Sequence, residues 1–374
     1  MSQPEAESDS PPGRTAQLTV RLNTLAANHR EIRHRAAGAA VAPVVKADAY
    51  RMGMVPVAEV LAGEGADTFF VARLEEGIAL RHVLPDARIF VFDGVLRDTA
   101  EGLIAHRLTP VLNCAQEIAE WAAAARARKT VFDAAMQIDT GMNRSGLSQS
   151  EVADIAANPS RALSGINLNL ILSHLACADE PKNERNKQQR ERFRAALASL
   201  PSAPASLAAS AGIELGQDYL FDMVRPGMAL YGGKPIPSRV NPYKTVVLLT
   251  SQVLQLRYLD PGETVGYSAT FVAKRPTIVA IVALGYADGL IRASGAKGKA
   301  ALGRVLVPFA GRISMDLLAL DVTDVPEHAR RRGAPVEFLG DTITIDDAAR
   351  AAGTITHEVL TAISPRTRRV YLGE

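Results

Sequence analysis

The feature that most restricts the fold is a series of eight short apolar runs, each separated from the next by a stretch of helical period, across residues 42–231. APVVKA (42–47), TFFVA (68–72), RIFVF (88–92), LTPVLN (108–113), FDAAMQI (132–138), INLNLILSH (166–174), SLAAS (206–210) and DMVRPGMALY (222–231) read as strands. Helices are expected at 55–63, 74–83, 114–128, 148–157 and 183–200, the fourth opening on a capping box of Ser148 and Glu151. Such alternation builds a parallel sheet, and eight strands are what close a (β/α)8 TIM-like barrel. From about residue 241 the pattern changes to β-branched runs such as TVVLLTSQVLQLRYL and TIVAIVALGY between turn residues. The chain is therefore expected to be an α/β protein, with a disordered tail at 1–14, a barrel at 15–240 and a C-terminal mainly β domain at 241–374.

Composition narrows the partners. The 42 basic and 40 acidic residues nearly cancel and are spread along the chain, so neither a nucleic acid nor an anionic membrane finds a charged footprint. Cys114 and Cys177 are too few for a disulfide framework and lie in no metal-ligand spacing, so no metal is expected. The opening MSQPEAESDSPPGRTA is acidic and proline-rich, unlike a signal peptide, and no apolar run is long enough to span a bilayer. A cytoplasmic protein acting on a small molecule is expected. The basic run KNERNKQQRERFR reads as a solvated helix face.

A barrel of this kind does its chemistry at the C-terminal ends of its strands. Lys46 ends the first run, Arg144 follows the fifth, His174 ends the sixth, Ser210 ends the seventh, and Arg225 and Gly227 lie in the eighth. Tyr50 stands one helical turn beyond Lys46. A lysine at one strand end and a Ser/Gly pair after the last two strands, where barrels commonly hold phosphate, suit a phosphorylated aldehyde cofactor.

Six segments in order carry a resemblance: VVKADAYRMG (44–53), QIDTGMNR (137–144), HLACADE (174–180), RPGMALYG (225–232), GYADG (285–289) and GRISMD (311–316). In these the chain resembles the alanine racemases, from about residue 15 to the end. The resemblance implies that Lys46 forms the internal aldimine with pyridoxal 5'-phosphate, and that Tyr50, Ser210, Gly227 and Met228 help hold the cofactor, chiefly at its phosphate. It implies that His174 packs against the pyridine ring and that Arg225 contacts the ring nitrogen. Arg144 and Met315 resemble the contacts to the substrate carboxylate, with Asp316 in support. Tyr286 is implied as a second base opposite Lys46, its pKa lowered by nearby cationic or hydrogen-bonded groups such as Arg144 or His174. The family's second domain completes the barrel mouth of the other subunit, so a homodimer with active sites at the subunit interface is implied. The expected reaction is interconversion of L- and D-alanine by a two-base mechanism.

Two positions depart from the family pattern. Gln137 stands where many members have a lysine that becomes carbamylated and steadies the substrate-binding arginine, leaving a bound anion or the amide itself to orient Arg144. His357 stands where a tyrosine usually donates to the phosphate and crowds the substrate, so His357 is a cofactor-binding candidate with a different shape. Serine or a wider set of amino acids is the alternative substrate. Rival classes are a barrel-type decarboxylase, against which Arg225 at the ring nitrogen argues, and a non-catalytic pyridoxal phosphate-binding barrel, which lacks the β domain.

Overall fold

The computed structural model describes residues 16–295 and 297–373, so the tail expected to be disordered at 1–14 lies outside them. The chain opens with β1 (Gln17–Arg21) and then winds the barrel through β2 (Ala40–Val41), β3 (Thr68–Val71), β4 (Arg88–Val91), β5 (Thr109–Leu112), β6 (Phe132–Gln137), β7 (Ile166–Leu172), β8 (Ala205–Ser206) and β9 (Met223–Val224). Strands β3 to β8 form one parallel sheet in sequence order, and β2 pairs in parallel with β9. Single bridges, Val44 to Phe70 and Ala209 to Arg225, join the two pieces and close the ring.

The first and last barrel strands pair over fewer residues than their apolar runs suggest. Pro43 and Pro226 carry no N–H, so each serves the ladder only through its carbonyl, accepting from Phe70 and Val44 at 2.9 and 2.8 Å. Beyond Pro226 the chain turns into a short 3-10 segment, Met228–Tyr231, instead of extending the strand. The helices fall where apolar period placed them, and Ser148 caps Gln149–Ala157 in the expected reciprocal arrangement with Glu151. Helix Glu184–Ser199 departs from a purely solvated face, because Gln189 and Phe193 are buried against the barrel.

The β domain is organised by the long strand β10 (Val247–Leu259), which pairs antiparallel with β1, with Thr277–Val282 and with Pro335–Leu339. Register shifts at Leu249/Thr250 and Val253/Gln255 bend it so that it can serve three neighbours. Strand β1, assigned by position to the barrel, lies in this sheet and also pairs in parallel with Arg368–Leu372. Leu18 and Val20 are fully buried there. One apolar core runs from the barrel into this sheet, and a second, small cluster is built on Leu259, Val279 and Ala319.

His29, on helix Leu22–Arg35, is buried with both ring nitrogens unpartnered among the described residues. Burial, helped by Arg33, lowers its pKa to about 4, below the ordinary value near 6.5 of an unfolded chain. The unfolded chain therefore takes up the proton first, and stability is lost as pH falls from about 6.5 towards 4. The Tm of His29→Leu relative to wild type should rise by about a few degrees between pH 7 and 5. A difference that stays constant across that range in calorimetry would count against this account.

Candidate active site

Lys46 sits just past the first barrel strand with its ammonium 5.6 Å from the centre of the Phe92 ring. The backbone then does something the sequence does not announce: Ala47, Asp48, Ala49, Tyr50 and Arg51 all have positive φ, between 50° and 68°. The helical turn expected beyond Lys46 is present, but its hand is left. Left-handed helix costs roughly 1–2 kcal/mol per L-residue, so long-range contacts must impose it. The Glu76 carboxylate accepts the N–H of Ala47 at 2.6 Å and of Ala72 at 2.8 Å, and Asp48 accepts the N–H of Met54 at 2.8 Å. Arg369, from the other domain, donates to the Arg51 carbonyl at 2.9 Å.

Through this turn Tyr50 reaches the far side of the mouth. Its ring packs on Tyr231 at 4.8 Å and on His357 at 5.8 Å, and its hydroxyl lies 2.3 Å from where a Gly227 side chain would begin. Only glycine leaves room for it. The Ser210 hydroxyl oxygen accepts the N–H groups of Gly227 and Ala229 at 3.1 and 3.2 Å. Met228 continues the same turn, its sulfur against the Thr356 hydroxyl at 2.7 Å.

Arg225, almost wholly buried, donates to the Ser206 hydroxyl at 2.5 Å and to the Ser173 carbonyl at 2.6 Å. Burial lowers its pKa to about 10, which leaves it charged at neutral pH. His174 is held by Gln189, which donates to its carbonyl at 2.9 Å. Burial first, then the charges of Arg225, Arg144, Lys46 and His357, push the imidazole pKa down to about 3, so it is neutral. Lys46 is lowered by burial and by Arg144, against a weaker upward pull from Glu76 and Asp93. His357 is lowered by desolvation and by Lys46.

Arg144 stands exposed on a loop fixed at both ends. One Asp139 oxygen accepts the N–H groups of Gly141, Met142 and Asn143 at 2.9, 3.0 and 3.1 Å. Gln137 donates to the Ser145 carbonyl at 3.0 Å and hydroxyl at 2.7 Å. The Gln137 amide thus fastens the residue after Arg144 and makes no hydrogen bond to the guanidinium.

Tyr286 and Met315 lie together, on the β domain. Strands Thr277–Val282 and Leu318–Asp321 are antiparallel neighbours, so the loop leaving the first meets the loop entering the second. Tyr286 N–H donates to the Ser314 carbonyl at 3.1 Å and Ala287 N–H to the Met315 carbonyl at 3.0 Å. Tyr286 is 39% exposed and Met315 54%, and the Met315 N–H has no hydrogen-bond acceptor among the described residues. No hydrogen bond or ion pair among the described residues joins this pair to Lys46, Arg144 or His174 within the chain. Asp316 bonds Arg366 at 2.7 Å.

Residues 20–235 match the alanine racemase N-terminal domain and residues 246–371 its C-terminal domain. The alanine racemase of Methylobacterium nodulans is 45% identical over 96% of each chain, and that of Rhizobium meliloti 42% identical over 96% of this chain and 97% of its own. The chain belongs to the alanine racemase family. The crystal structure of the family's Bartonella henselae member, with covalently bound pyridoxal phosphate, superposes with a TM-score of 0.92 at 36% identity, covering 96% of this chain and 100% of that one.

The mouth suits the family's cofactor. Lys46, Arg144 and Arg225 act together on His174, while the two carboxylates that act on Lys46 are engaged, Glu76 by backbone N–H groups and Asp93 by Arg73 at 3.9 Å, so the site favours anions such as a phosphate and a carboxylate. The room kept by Gly227, beside the Tyr50 and Ser210 hydroxyls, is a cradle that any larger residue would fill. Glu76, Asp139, Gln189, Ser206, Asp288 and Arg366 support the site through contacts that the sequence pattern does not single out. Asp139 had a local signal, an acidic side chain two residues before a glycine, which is where an Asx turn forms.

Proposed function

We propose that this member of the alanine racemase family interconverts L- and D-alanine in a homodimer, with Lys46 of one chain and Tyr286 of the partner subunit as bases on opposite faces of the substrate. The observation that carries this reading is the division of the site: Lys46 and the cationic cluster lie in the barrel mouth, while Tyr286 and Met315 stand exposed on the β domain. A second copy supplies what each mouth lacks.

Pyridoxal phosphate, when bound, supplies the carbonyl that takes up the substrate amine and the ring that spreads the electron pair left at Cα. The chain's own residues do the rest. Lys46 has its pKa lowered by burial and Arg144, so its amine is more readily neutral and able to hold the α-proton on one face. The partner subunit's Tyr286 would serve the other face, placing its hydroxyl among the positive charges of the mouth. Arg144, with its fork of donors, and the free N–H of the partner subunit's Met315 bind the substrate carboxylate. Arg225, charged at neutral pH, would face the cofactor's ring nitrogen and, by keeping its own proton, would weaken the ring as an electron sink and favour proton exchange over decarboxylation. Tyr50, Ser210, Gly227, Met228 and His357 would hold the phosphate, and His174, uncharged, would pack against the ring. Purified protein given pyridoxal phosphate and single-enantiomer amino acids should erase the optical activity of alanine. Unchanged rotation with alanine would end the proposal.

His357 favours a second reading in which serine is also accepted, because imidazole is smaller than phenol. His357→Tyr should raise the preference for alanine over serine by about tenfold in kcat/KM, the scale of a one-group change in a pocket. An unaltered ratio would refute a role in selectivity.

A further inference from the structure

Arg366 lies outside the six segments of family resemblance, on the stretch that follows helix Thr356–Thr361. Its Nε donates to Asp288 at 2.7 Å and a terminal nitrogen donates to Asp316 at 2.7 Å. Those carboxylates belong to different loops: Asp288 closes the GYADG turn and Asp316 ends the GRISMD turn. The second Asp288 oxygen accepts the Gly285 N–H at 2.8 Å, and the Asp288 carbonyl accepts the N–H of Ser364 and the hydroxyl of Thr367 at 3.0 and 3.1 Å. Asp288 is buried, so both of its ends are fixed. The loops themselves are pressed together, since a side chain on Gly285 would begin 2.1 Å from the Met315 carbonyl oxygen.

We propose that Arg366 is a positioning residue which, through Asp288 and Asp316, holds the Tyr286 phenol and the Met315 N–H at a fixed separation before the two subunits meet. This rests on the proposed function above. A proton-transferring phenol and a carboxylate-binding N–H must engage the same small substrate, and errors on the scale of 1 Å in such placement cost about 10²-fold in rate. The planar guanidinium offers separate donors, Nε and a terminal nitrogen, to the two carboxylates in one fixed geometry, which the compact ammonium of a lysine does not reproduce. The pair with Asp316 is exposed at both ends and contributes little to global stability, whereas Asp288 is buried, so removing Arg366 also leaves a buried carboxylate without its charged partner. Asp316→Asn therefore tests the catalytic role with the fold undisturbed.

The test compares wild type, Arg366→Ala, Arg366→Lys and Asp316→Asn, each loaded with pyridoxal phosphate. Racemisation of both enantiomers, exchange of the alanine α-hydrogen in deuterated water, Tm and dimer mass are measured. In Arg366→Ala, kcat should fall about 10²-fold with unchanged dimer mass and a lowered Tm, because buried Asp288 loses its partner, while one enantiomer still exchanges its α-hydrogen without inverting, the half of the reaction Lys46 carries out alone. Arg366→Lys should recover little, added guanidinium should restore part of the rate, and Asp316→Asn should fall between. Racemisation within twofold of wild type in Arg366→Ala would overturn the proposal, as would a parallel loss of exchange and racemisation. Wild type that neither racemises nor exchanges alanine would instead defeat the reading of function on which the proposal rests.

Discussion

Lys46→Ala is expected to reduce alanine racemisation by at least about 10⁴-fold and to remove the yellow colour of lysine-bound cofactor. One substitution deletes both the covalent anchor and one of two bases, and a single general base is commonly worth about 10²–10⁴ on its own. The anchor assignment depends on the left-handed turn beyond Lys46, which sends Tyr50 across the mouth to Gly227 and leaves the lysine facing the cationic cluster. Absorption spectroscopy of the purified variant with added pyridoxal phosphate, followed by racemisation assays, tests this directly. Retained colour with unchanged turnover would reject it.

Tyr286→Phe should lower racemisation by about 10²–10⁴-fold in both directions while cofactor binding and the spectrum remain. Only a hydroxyl is lost, from a residue that is 39% exposed in the single chain, so no folding defect is expected. Both directions must fall together, because the ratio of their kcat/KM values is fixed by the reaction's equilibrium constant. Normal rates in the variant would exclude the phenol as a base.

Much of the architecture was legible because its signals are local. Apolar runs of strand length alternating with helical period gave eight barrel strands and a β domain, and strand-end positions put Lys46, His174, Ser210 and Arg225 in one mouth. What escaped was set at long range. Strand β1 carries the same alternation as any half-buried strand, and only its pairing with β10 and Arg368–Leu372 assigns it to the second sheet. The five left-handed residues at 47–51 include no glycine and run against local preference; Glu76 and Arg369, distant in sequence, account for them. Gln137 was legible as a departure, yet its bond to Ser145 required a structure. Gln189 was hidden inside a charged run, and Arg366 meets partners 78 and 50 residues away.

The shared site is the central claim, and mixing two dead variants tests it most directly. Lys46→Ala and Tyr286→Phe chains are unfolded together, refolded with pyridoxal phosphate in equal amounts, and assayed for alanine racemisation. If each mouth draws its phenol from the other subunit, half of the dimers are mixed and each holds one intact site of two, giving about one quarter of wild-type activity. A mixture as inactive as its two parents, with mixed dimers demonstrated by mass, would contradict the account.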